Sequence, residues 1–182
     1  MKIRTYASIA FTALTLLIGQ TSFAQYENES EQEEKTIVET AIATEDLSTL
    51  VAAVKAADLV EALSSEGPFT VFAPVNEAFD ALPAGTLETL LKPENKEMLS
   101  GILTYHVVSG DIKAADVLDL IKKNNGTAGV ETLAGGMLTF WTEMEKVYVK
   151  DANGNSAEVI IPNIENSNGT VHVINKVLMP TK

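Results

Sequence analysis

The sequence predicts an α+β domain, with helices in its N-terminal half and antiparallel strands in its C-terminal half. Between residues 47 and 54, leucine and valine recur at i, i+3, i+4 and i+7, the spacing that lines one face of an α-helix. Lys146–Lys150 instead alternates charged and apolar side chains, which is typical of a strand with one buried face. Because the helices precede the strands and do not alternate with them, the order favours an α+β fold over a βαβ architecture.

The helical half divides into short segments at turn-forming residues. The helix over residues 47–54 is followed by a second short turn that carries Leu59, Val60 and Leu63. Asn76 is placed to cap a short helix, and Pro93 suits the first turn of another. A last helix is predicted over residues 114–123. The apolar faces of these three helices consist of Ala78 and Phe79, then Met98, Leu99, Ile102 and Leu103, then Val117, Leu118 and Ile121.

Two apolar, β-branched segments begin with turn residues and lie far apart in the chain. They are the first motif, residues 67–79 (GPFTVFAPVNEAF), and the second motif, residues 168–180 (NGTVHVINKVLMP). Segments this distant cannot form a local hairpin. We therefore expect the fold to bring them together as two strands of one buried sheet.

The strand-rich half is divided by short turns. Ala134–Gly136 predicts a hairpin loop, Asp151–Asn155 a second turn, and Asn168-Gly169 a tight turn into the last strand. The strands that these turns separate are Thr132–Leu133, Met137–Thr142, Lys146–Lys150, Glu158–Ile161 and Val171–Ile174.

Residues 1–24 have the three parts of a secretory signal peptide. Lys2 and Arg4 make the start basic, an apolar run follows from Ala7 to Ile18, and Ser22–Ala24 forms a small-x-small cleavage site. We expect cleavage after residue 24 and secretion, either into a periplasm or outside the cell. The apolar run is shorter than the roughly 20 residues that span a bilayer. No membrane insertion is therefore expected after cleavage, and a retained N-terminal anchor is the alternative.

The rest of the chain is predicted to be a short linker followed by one domain. Residues 25–35 are rich in glutamate and nearly free of apolar side chains, which indicates an acidic flexible linker. Residues 36–182 have the composition of a single globular domain, with no repeat or second boundary. The chain contains no cysteine, so we expect an ordinary hydrophobic core to stabilise it without disulfides.

The charge of the chain excludes several kinds of partner. The net charge is −12, and removal of the signal peptide takes away two basic residues and no acid. Nucleic acid binding requires lysines and arginines that neutralise phosphates, and docking on anionic lipid also requires basic residues. We therefore expect neither nucleic acid nor a membrane surface as a partner.

The residues that carry enzyme or metal chemistry do not form a recognisable set. His106 and His172 are the only histidines, and both lie among apolar neighbours, as structural histidines do. A zinc site needs at least three protein ligands, and a serine hydrolase elbow of the G-x-S-x-G type is absent. Asp151–Asn155 resembles the start of a calcium loop but lacks the later ligands, so it predicts a turn. The sequence thus predicts no catalytic site, no metal site and no cofactor.

The two motifs resemble the two conserved segments of the fasciclin-like domain family. Thr70–Pro74 and Glu77–Phe79 stand in the expected places of the first segment, and Tyr105-His106 resembles the family's internal tyrosine–histidine segment. The second motif matches at Gly169, His172, Val177, Leu178 and Pro180. This resemblance implies a compact wedge in which helices pack on a β-sandwich-like core. It also implies a non-enzymatic role in cell adhesion or in association with a matrix or cell envelope.

The resemblance also implies where a partner is contacted. In the family the tyrosine–histidine segment and a nearby Asp-Ile pair are implicated in receptor binding, which points to Tyr105, His106, Asn163 and Ile164 here. The alternative for Tyr105 is a core residue whose hydroxyl is hydrogen-bonded inside the domain. Asn163 stands where the family has an aspartate, so the carboxylate for a metal-assisted contact is missing. The implied partner is a cell-surface or matrix protein or a polysaccharide, and self-association is left open.

One further contact residue is predicted from strand geometry. Phe140 and Trp141 are adjacent on a strand, so their side chains point to opposite faces, and one of them is a candidate for an exposed aromatic contact. We include Trp141 among the predicted partner-binding residues. The alternative function is a periplasmic or extracellular protein that binds a small apolar ligand between the helices and the sheet.

Overall fold

The computed structural model describes residues 35–181, in which the helices lie mostly in the first half. The predicted signal peptide (1–24) and all of the predicted linker (25–35) except Lys35 lie outside the described residues. None of the described helices is long and apolar enough to cross a membrane. The helices are α1 (Ile37–Ala43), α2 (Ser48–Ala56), α3 (Val60–Leu63), α4 (Asn76–Asp80), α5 (Thr86–Leu90), α6 (Lys96–Tyr105) and α7 (Ala114–Lys123), with 3₁₀ turns at Glu45–Leu47 and Pro93–Asn95.

The strands form one seven-stranded sheet in the order β2-β1-β7-β6-β5-β4-β3. They are β1 (Phe69–Pro74), β2 (Val107–Ser109), β3 (Thr127–Glu131), β4 (Met137–Glu143), β5 (Lys146–Lys150), β6 (Ser156–Asn166) and β7 (Gly169–Ile174). The two motifs supply β1 and β7, which are neighbours, so the expectation that they share a sheet is confirmed. Helices packed on a sheet confirm the predicted α+β class.

The predicted antiparallel arrangement holds for every pair of neighbouring strands except one. β1 and β7 run parallel, from Phe69 opposite Gly169 to Pro74 opposite Ile174, whereas all other neighbouring strands are antiparallel. The long connection between the motifs permits either direction. Both strands are buried along almost their whole length, and continuous apolar runs of this kind are typical of parallel strands covered on both faces.

Two hydrophobic cores cover the two faces of this central pair. Val71 and Val171 point into a first core with helices α1 to α6, whereas Phe72 and Ile174 point into a second core with α7 and the inner face of β3 to β6. Phe72 on β1 lies 5.3 Å from Phe140 on β4, measured between ring centroids. The sheet therefore curls until its two halves face each other, which gives the sandwich-like core that the resemblance implied.

Several boundaries differ from the predicted ones. α7 and β5 begin and end where the sequence placed them. The first strand of the predicted hairpin, however, is residues 127–131, because 132–136 form the loop. The tight turn before β7 consists of Ser167 and Asn168, since Asn166 pairs with Gly169.

Candidate interaction surface

Tyr105 is a core residue and not a surface contact. Its side chain is fully buried at the end of α6, with 0% exposure. Its hydroxyl donates a hydrogen bond to the Met137 carbonyl (3.0 Å) and accepts one from the Ala152 N–H (2.9 Å). Burial raises the pKa of this phenol. The tyrosine therefore ties α6 to the beginning of β4 and to the turn after β5, and its burial argues against direct contact between its side chain and a partner.

His106 is likewise buried and has a structural role. Its Nδ1 lies 2.8 Å from the Ile102 carbonyl, and its Nε2 accepts a hydrogen bond from the Leu178 N–H at 2.9 Å. A single neutral tautomer, protonated on Nδ1, satisfies both contacts. Burial lowers the pKa of His106 to about 4. Tertiary packing turns the end of α6 inward, so both residues have the structural role that was the alternative to partner contact, and their burial argues against direct contact by either side chain.

His172 links the central strand β7 to the segment that carries Asn163. Its Nε2 lies 2.8 Å from the Ile112 carbonyl, and its Nδ1 accepts from the Asn163 N–H at 3.2 Å. The imidazole also stacks on Phe72, with ring centroids 5.4 Å apart. Burial lowers the pKa of His172. Both histidines thus use both ring nitrogens for backbone contacts, which leaves neither free as a general base or as a metal ligand.

Asn163 lies in an irregular part of β6 and caps a helix. The register of β6 against β7 shifts between Val159 and Ile164, and Asn163 adopts a left-handed conformation with φ 58°. Its side-chain oxygen accepts a hydrogen bond from the N–H of Ala114, the first residue of α7, at 2.8 Å. Asparagine suits both roles, because it tolerates this backbone conformation and its oxygen satisfies a helix N-terminus.

The same irregular segment exposes apolar side chains. We call residues 160–164 the β6 bulge. Ile160 and Ile161 are 43% and 51% exposed, Asn163 is exposed, and Ile164 is half-buried against the first core. A β-bulge at which two neighbouring isoleucines point to solvent is a candidate contact surface. The two isoleucines were not predicted, because regular alternation along β6 would have buried one of them.

Trp141 lies on the outer face of the sheet, on the side opposite to the preceding residue Phe140, as consecutive side chains of a strand do. Phe140 is fully buried, whereas Trp141 is half-buried and stacks on Tyr148 with ring centroids 5.4 Å apart and an interplanar angle of 19°. The Lys150 ammonium lies 6.0 Å from the centre of the Trp141 ring. Tyr148 was missed as a partner of Trp141, because alternation in β5 places it outward but only the cross-strand register brings the two rings together.

The turn that resembles a calcium loop is closed by its own carboxylate. Asp151 is 4% exposed, and its Oδ1 accepts from the N–H groups of Asn153 (2.9 Å) and Asn155 (2.8 Å). Its Oδ2 accepts from the Asn155 amide and from the Met179 N–H, both at 3.0 Å. Four hydrogen bonds occupy the lone pairs that a cation would need, so the segment is a turn that anchors the chain after β7. Residues 35–181 contain no group of three or more histidine, aspartate or glutamate side chains that could hold a metal.

One apolar cavity lies between the helices and the sheet. Its walls include Val38 on α1, Leu50 and Val54 on α2, and Val71 and Val171 on the central strands. Its volume is about 30 Å³, whereas a cavity of about 150 Å³ is needed to hold a benzene-sized molecule. The cavity lies where the alternative function would place its ligand, between the helices and the sheet, but its volume does not suffice for an apolar ligand.

The chain belongs to the fasciclin domain family. A sequence model described as Fasciclin domain matches residues 45–180, which include both motifs, the buried Tyr105-His106 pair and the β6 bulge. The family resemblance seen in the sequence is thereby confirmed.

Relatives match over most of the described chain. Protein sll1483 from Synechocystis is 50% identical over 184 residues, which cover 94% of this chain and 95% of the relative. Immunogenic protein MPB70 from Mycobacterium bovis is 39% identical over 140 residues, covering 74% of this chain and 64% of that protein. Among solved structures, a FAS1 domain pair from the insect cell adhesion molecule fasciclin I has a TM-score of 0.58 and 23% identity, covering 73% of this chain and 45% of the other. The last match shows a shared fold.

Proposed function

We propose that this protein is a secreted, non-enzymatic interaction domain that attaches to a cell envelope or matrix. The observation that carries the proposal is membership of the fasciclin family, whose fold is shared with an insect cell adhesion molecule. The signal peptide predicted for residues 1–24 supports export. The arrangement of the two histidines agrees with a role without catalysis, since each ring is engaged by backbone groups on both nitrogens.

Two exposed regions are the proposed contact surfaces. The β6 bulge offers Ile160 and Ile161 together with Asn163 and Ile164, and the outer face of the sheet offers Trp141. The bulge is restrained by two hydrogen bonds of Asn163, whose side chain accepts from the Ala114 N–H of α7 and whose N–H donates to His172. A preorganised apolar surface binds with little loss of conformational entropy. Self-association through the same bulge remains an outcome that the binding experiment distinguishes.

The alternative function, binding of a small apolar ligand, is not favoured. The cavity between helices and sheet is too small for such a ligand by a factor of about five. Occupancy would therefore require α1 or α2 to move away from the sheet. We expect a panel of fatty acids and aromatic ligands to leave the thermal midpoint unchanged, whereas a concentration-dependent increase of several degrees would restore this alternative.

The proposed function is tested with purified residues 25–182 and envelope material from the producing cell. We expect saturable co-sedimentation that is weakened at least tenfold by Ile161→Ser. Ile42→Ser is the matched control, since Ile42 is similarly exposed (56%) but lies on α1. Light scattering of the same samples reports self-association. Absence of saturable binding by the parent protein, or equal losses in both variants, would contradict the proposal for the bulge.

A further inference from the structure

We propose that the outer face of strands β3 to β6 binds an uncharged polysaccharide through Trp141 and Tyr148. We call this surface the aromatic face. The inference rests on the interaction function proposed above and gives the Trp141 region a partner of defined chemistry. It begins with the register, because residues paired across antiparallel strands point to the same side of a sheet.

The register places two rows of side chains on the aromatic face. One row runs across four strands as Thr127, Trp141, Tyr148 and Glu158, and the adjacent row contains Thr139, Lys150 and Ser156. The alternate residues Phe140, Val149 and Ala157 are fully buried in the second core on the opposite side, where α7 packs. The aromatic face is thus the side of this sheet half turned away from that core.

The two aromatic rings form a stacked pair on the middle strands of this face. They stack at 5.4 Å, and Lys150 approaches the Trp141 ring to 6.0 Å, so each side chain limits the rotamers of its neighbours. Both rings keep part of their surface accessible. Rigid aromatic side chains present a large contact area at low entropic cost, which makes them effective binding groups.

The polar groups around the pair match the chemistry of a sugar. A pyranose ring has an apolar C–H face that packs on an aromatic ring, and hydroxyl groups at its edge that require hydrogen-bond partners. The hydroxyls of Thr139 and Ser156 and the ammonium of Lys150 lie in the row next to the rings. Four neighbouring strands span about 14 Å, which accommodates about three pyranose rings of an extended chain. The positions that flank the rings are hydroxyl-bearing or charged, which favours a ligand rich in hydroxyl groups.

The charges indicate that the polysaccharide is uncharged. Lys146 is neutralised by Glu158 at 2.7 Å, and Lys150 forms no salt bridge among the described residues. One such cation does not offset the net charge of −12, so a polyanion is repelled by the molecule as a whole. Lys150 serves as a hydrogen-bond donor toward hydroxyl groups.

The sole tryptophan makes this inference directly measurable. Trp141 is the only tryptophan of the chain, so its fluorescence reports the aromatic face and nothing else. Residues 25–182 are titrated with cello- and chito-oligosaccharides and sedimented with cellulose, chitin and, as a polyanion, alginate. We expect saturable binding to at least one uncharged glycan, with a change in Trp141 fluorescence that saturates at the same concentration.

Matched variants assign the binding to the aromatic face. Trp141→Ala and Tyr148→Ala should each weaken glycan binding at least tenfold, whereas Met98→Ala, at an exposed site on α6, should have no effect. Circular dichroism and thermal midpoints verify that each variant is folded. Binding to none of the uncharged glycans, binding to alginate alone, or unchanged binding by folded Trp141→Ala overturns the inference.

The envelope experiment separates this inference from the proposed function. Loss of glycan binding in Trp141→Ala with intact envelope binding supports a glycan site beside a separate envelope contact. Envelope binding without glycan binding by the parent protein overturns the glycan inference and leaves the proposed function standing. If envelope binding requires Trp141 but is abolished by protease treatment of the envelope, the aromatic face recognises a protein, and the inference is overturned.

Discussion

At the scale of single residues, the contact between the two motifs depends on two glycines that admit close backbone approach. A Cβ atom on Gly67 would lie 2.1 Å from the Asn168 carbonyl oxygen, and one on Gly169 would lie 1.9 Å from the Phe69 carbonyl oxygen. The neighbours are backbone atoms that cannot rotate away. The beginning of the parallel β1–β7 pair is therefore incompatible with any side chain at these two positions.

We accordingly expect Gly169→Ala to destabilise the protein by at least about 3 kcal/mol, because the chain must move to relieve the overlap. Gly101→Ala is the matched control: its Cβ meets no atom within 4 Å inside helix α6, and alanine stabilises a helix interior by about 1 kcal/mol relative to glycine. Urea denaturation measures both. Equal midpoints for Gly169→Ala and the parent chain would show that the close approach is not rigid.

His106 makes stability depend on pH. Its pKa is about 4 in the folded state because of burial, compared with 6.5 for a free histidine. At a pH between these two pKa values, the unfolded chain binds more protons than the folded one, so the free energy of unfolding rises with pH. The contribution of His106 to the free energy of unfolding, roughly 3 kcal/mol, is fully present above pH 6.5 and declines as pH falls toward 4. His172, whose pKa is also lowered by burial, acts in the same direction.

The slope of unfolding free energy against pH tests this assignment. One histidine contributes at most about 1.4 kcal/mol per pH unit. We expect His106→Gln to reduce the slope of the unfolding free energy between pH 5 and 6 by about 1.4 kcal/mol per pH unit, the value for one proton. This change in slope is expected whatever the effect of the substitution on absolute stability. The NMR titration of the His106 imidazole in the parent protein provides the control. An unchanged slope in the variant would assign the pH dependence to other groups.

At the scale of elements, Asn163 links the irregular part of β6 to the N-terminus of α7. Asn163→Ala removes the acceptor for the Ala114 N–H and places alanine at φ 58°. We expect a loss of about 2 kcal/mol, with about half from the cap and half from the left-handed backbone. Asn163→Asp keeps the acceptor and adds a negative charge at the helix N-terminus, so its stability should equal or exceed that of the parent protein.

Thermal midpoints of the two variants distinguish capping from partner contact. If Asn163→Asp is as stable as the parent protein but changes envelope binding, the carboxamide itself contacts the partner. If Asn163→Ala were fully stable, the hydrogen bond to α7 would have no energetic role, and the restraint argued for the β6 bulge would lose its basis.

Elements with strong local patterns were predictable, whereas those set by tertiary contacts were not. The bounds of α7 and β5 follow from helical and alternating spacing within ten residues. β3 contains alanine and glycine and carries a weak strand pattern, so only its pairing with β4 defines it. Asn76 shows the same limit: it begins α4, but its side-chain oxygen accepts from the Thr49 N–H of α2 at 2.9 Å instead of capping its own helix.

The residues of the candidate site also differ in whether the local sequence predicts their position. Opposite orientations of Phe140 and Trp141 follow from strand geometry alone, so the sequence predicts that one of the two faces outward. The packing of Phe140 into the second core decides that it is Trp141. The burial of Tyr105 and His106 depends on where β4 and the chain after β7 pack, which local sequence does not encode. Family resemblance identified the segment as important, and the structure assigns it a role in the core.

At the scale of the whole molecule, the beginning of the domain and α1 are tied to the second motif and to the end of α3. Asn168 accepts from the Ile37 N–H at 2.9 Å and donates to the Leu63 carbonyl at 2.8 Å, and the Ser167 N–H donates to the Lys35 carbonyl at 3.0 Å. Ile37 and Val38 are 3% and 8% exposed. Although the family match begins only at residue 45, these contacts make α1 an integral part of the first core.

We therefore expect a chain that begins at Glu45 to be less stable than one that begins at Glu33 by about 3 kcal/mol or more. Burial of an isoleucine or valine contributes about 1.5–3 kcal/mol each, and removal of α1 also leaves the buried Asn168 oxygen without its donor. Urea denaturation of the two purified chains measures the difference, and the slope of the transition should fall with the smaller buried surface. Equal stabilities would mean that the domain closes its first core without α1, with Asn168 satisfied by solvent.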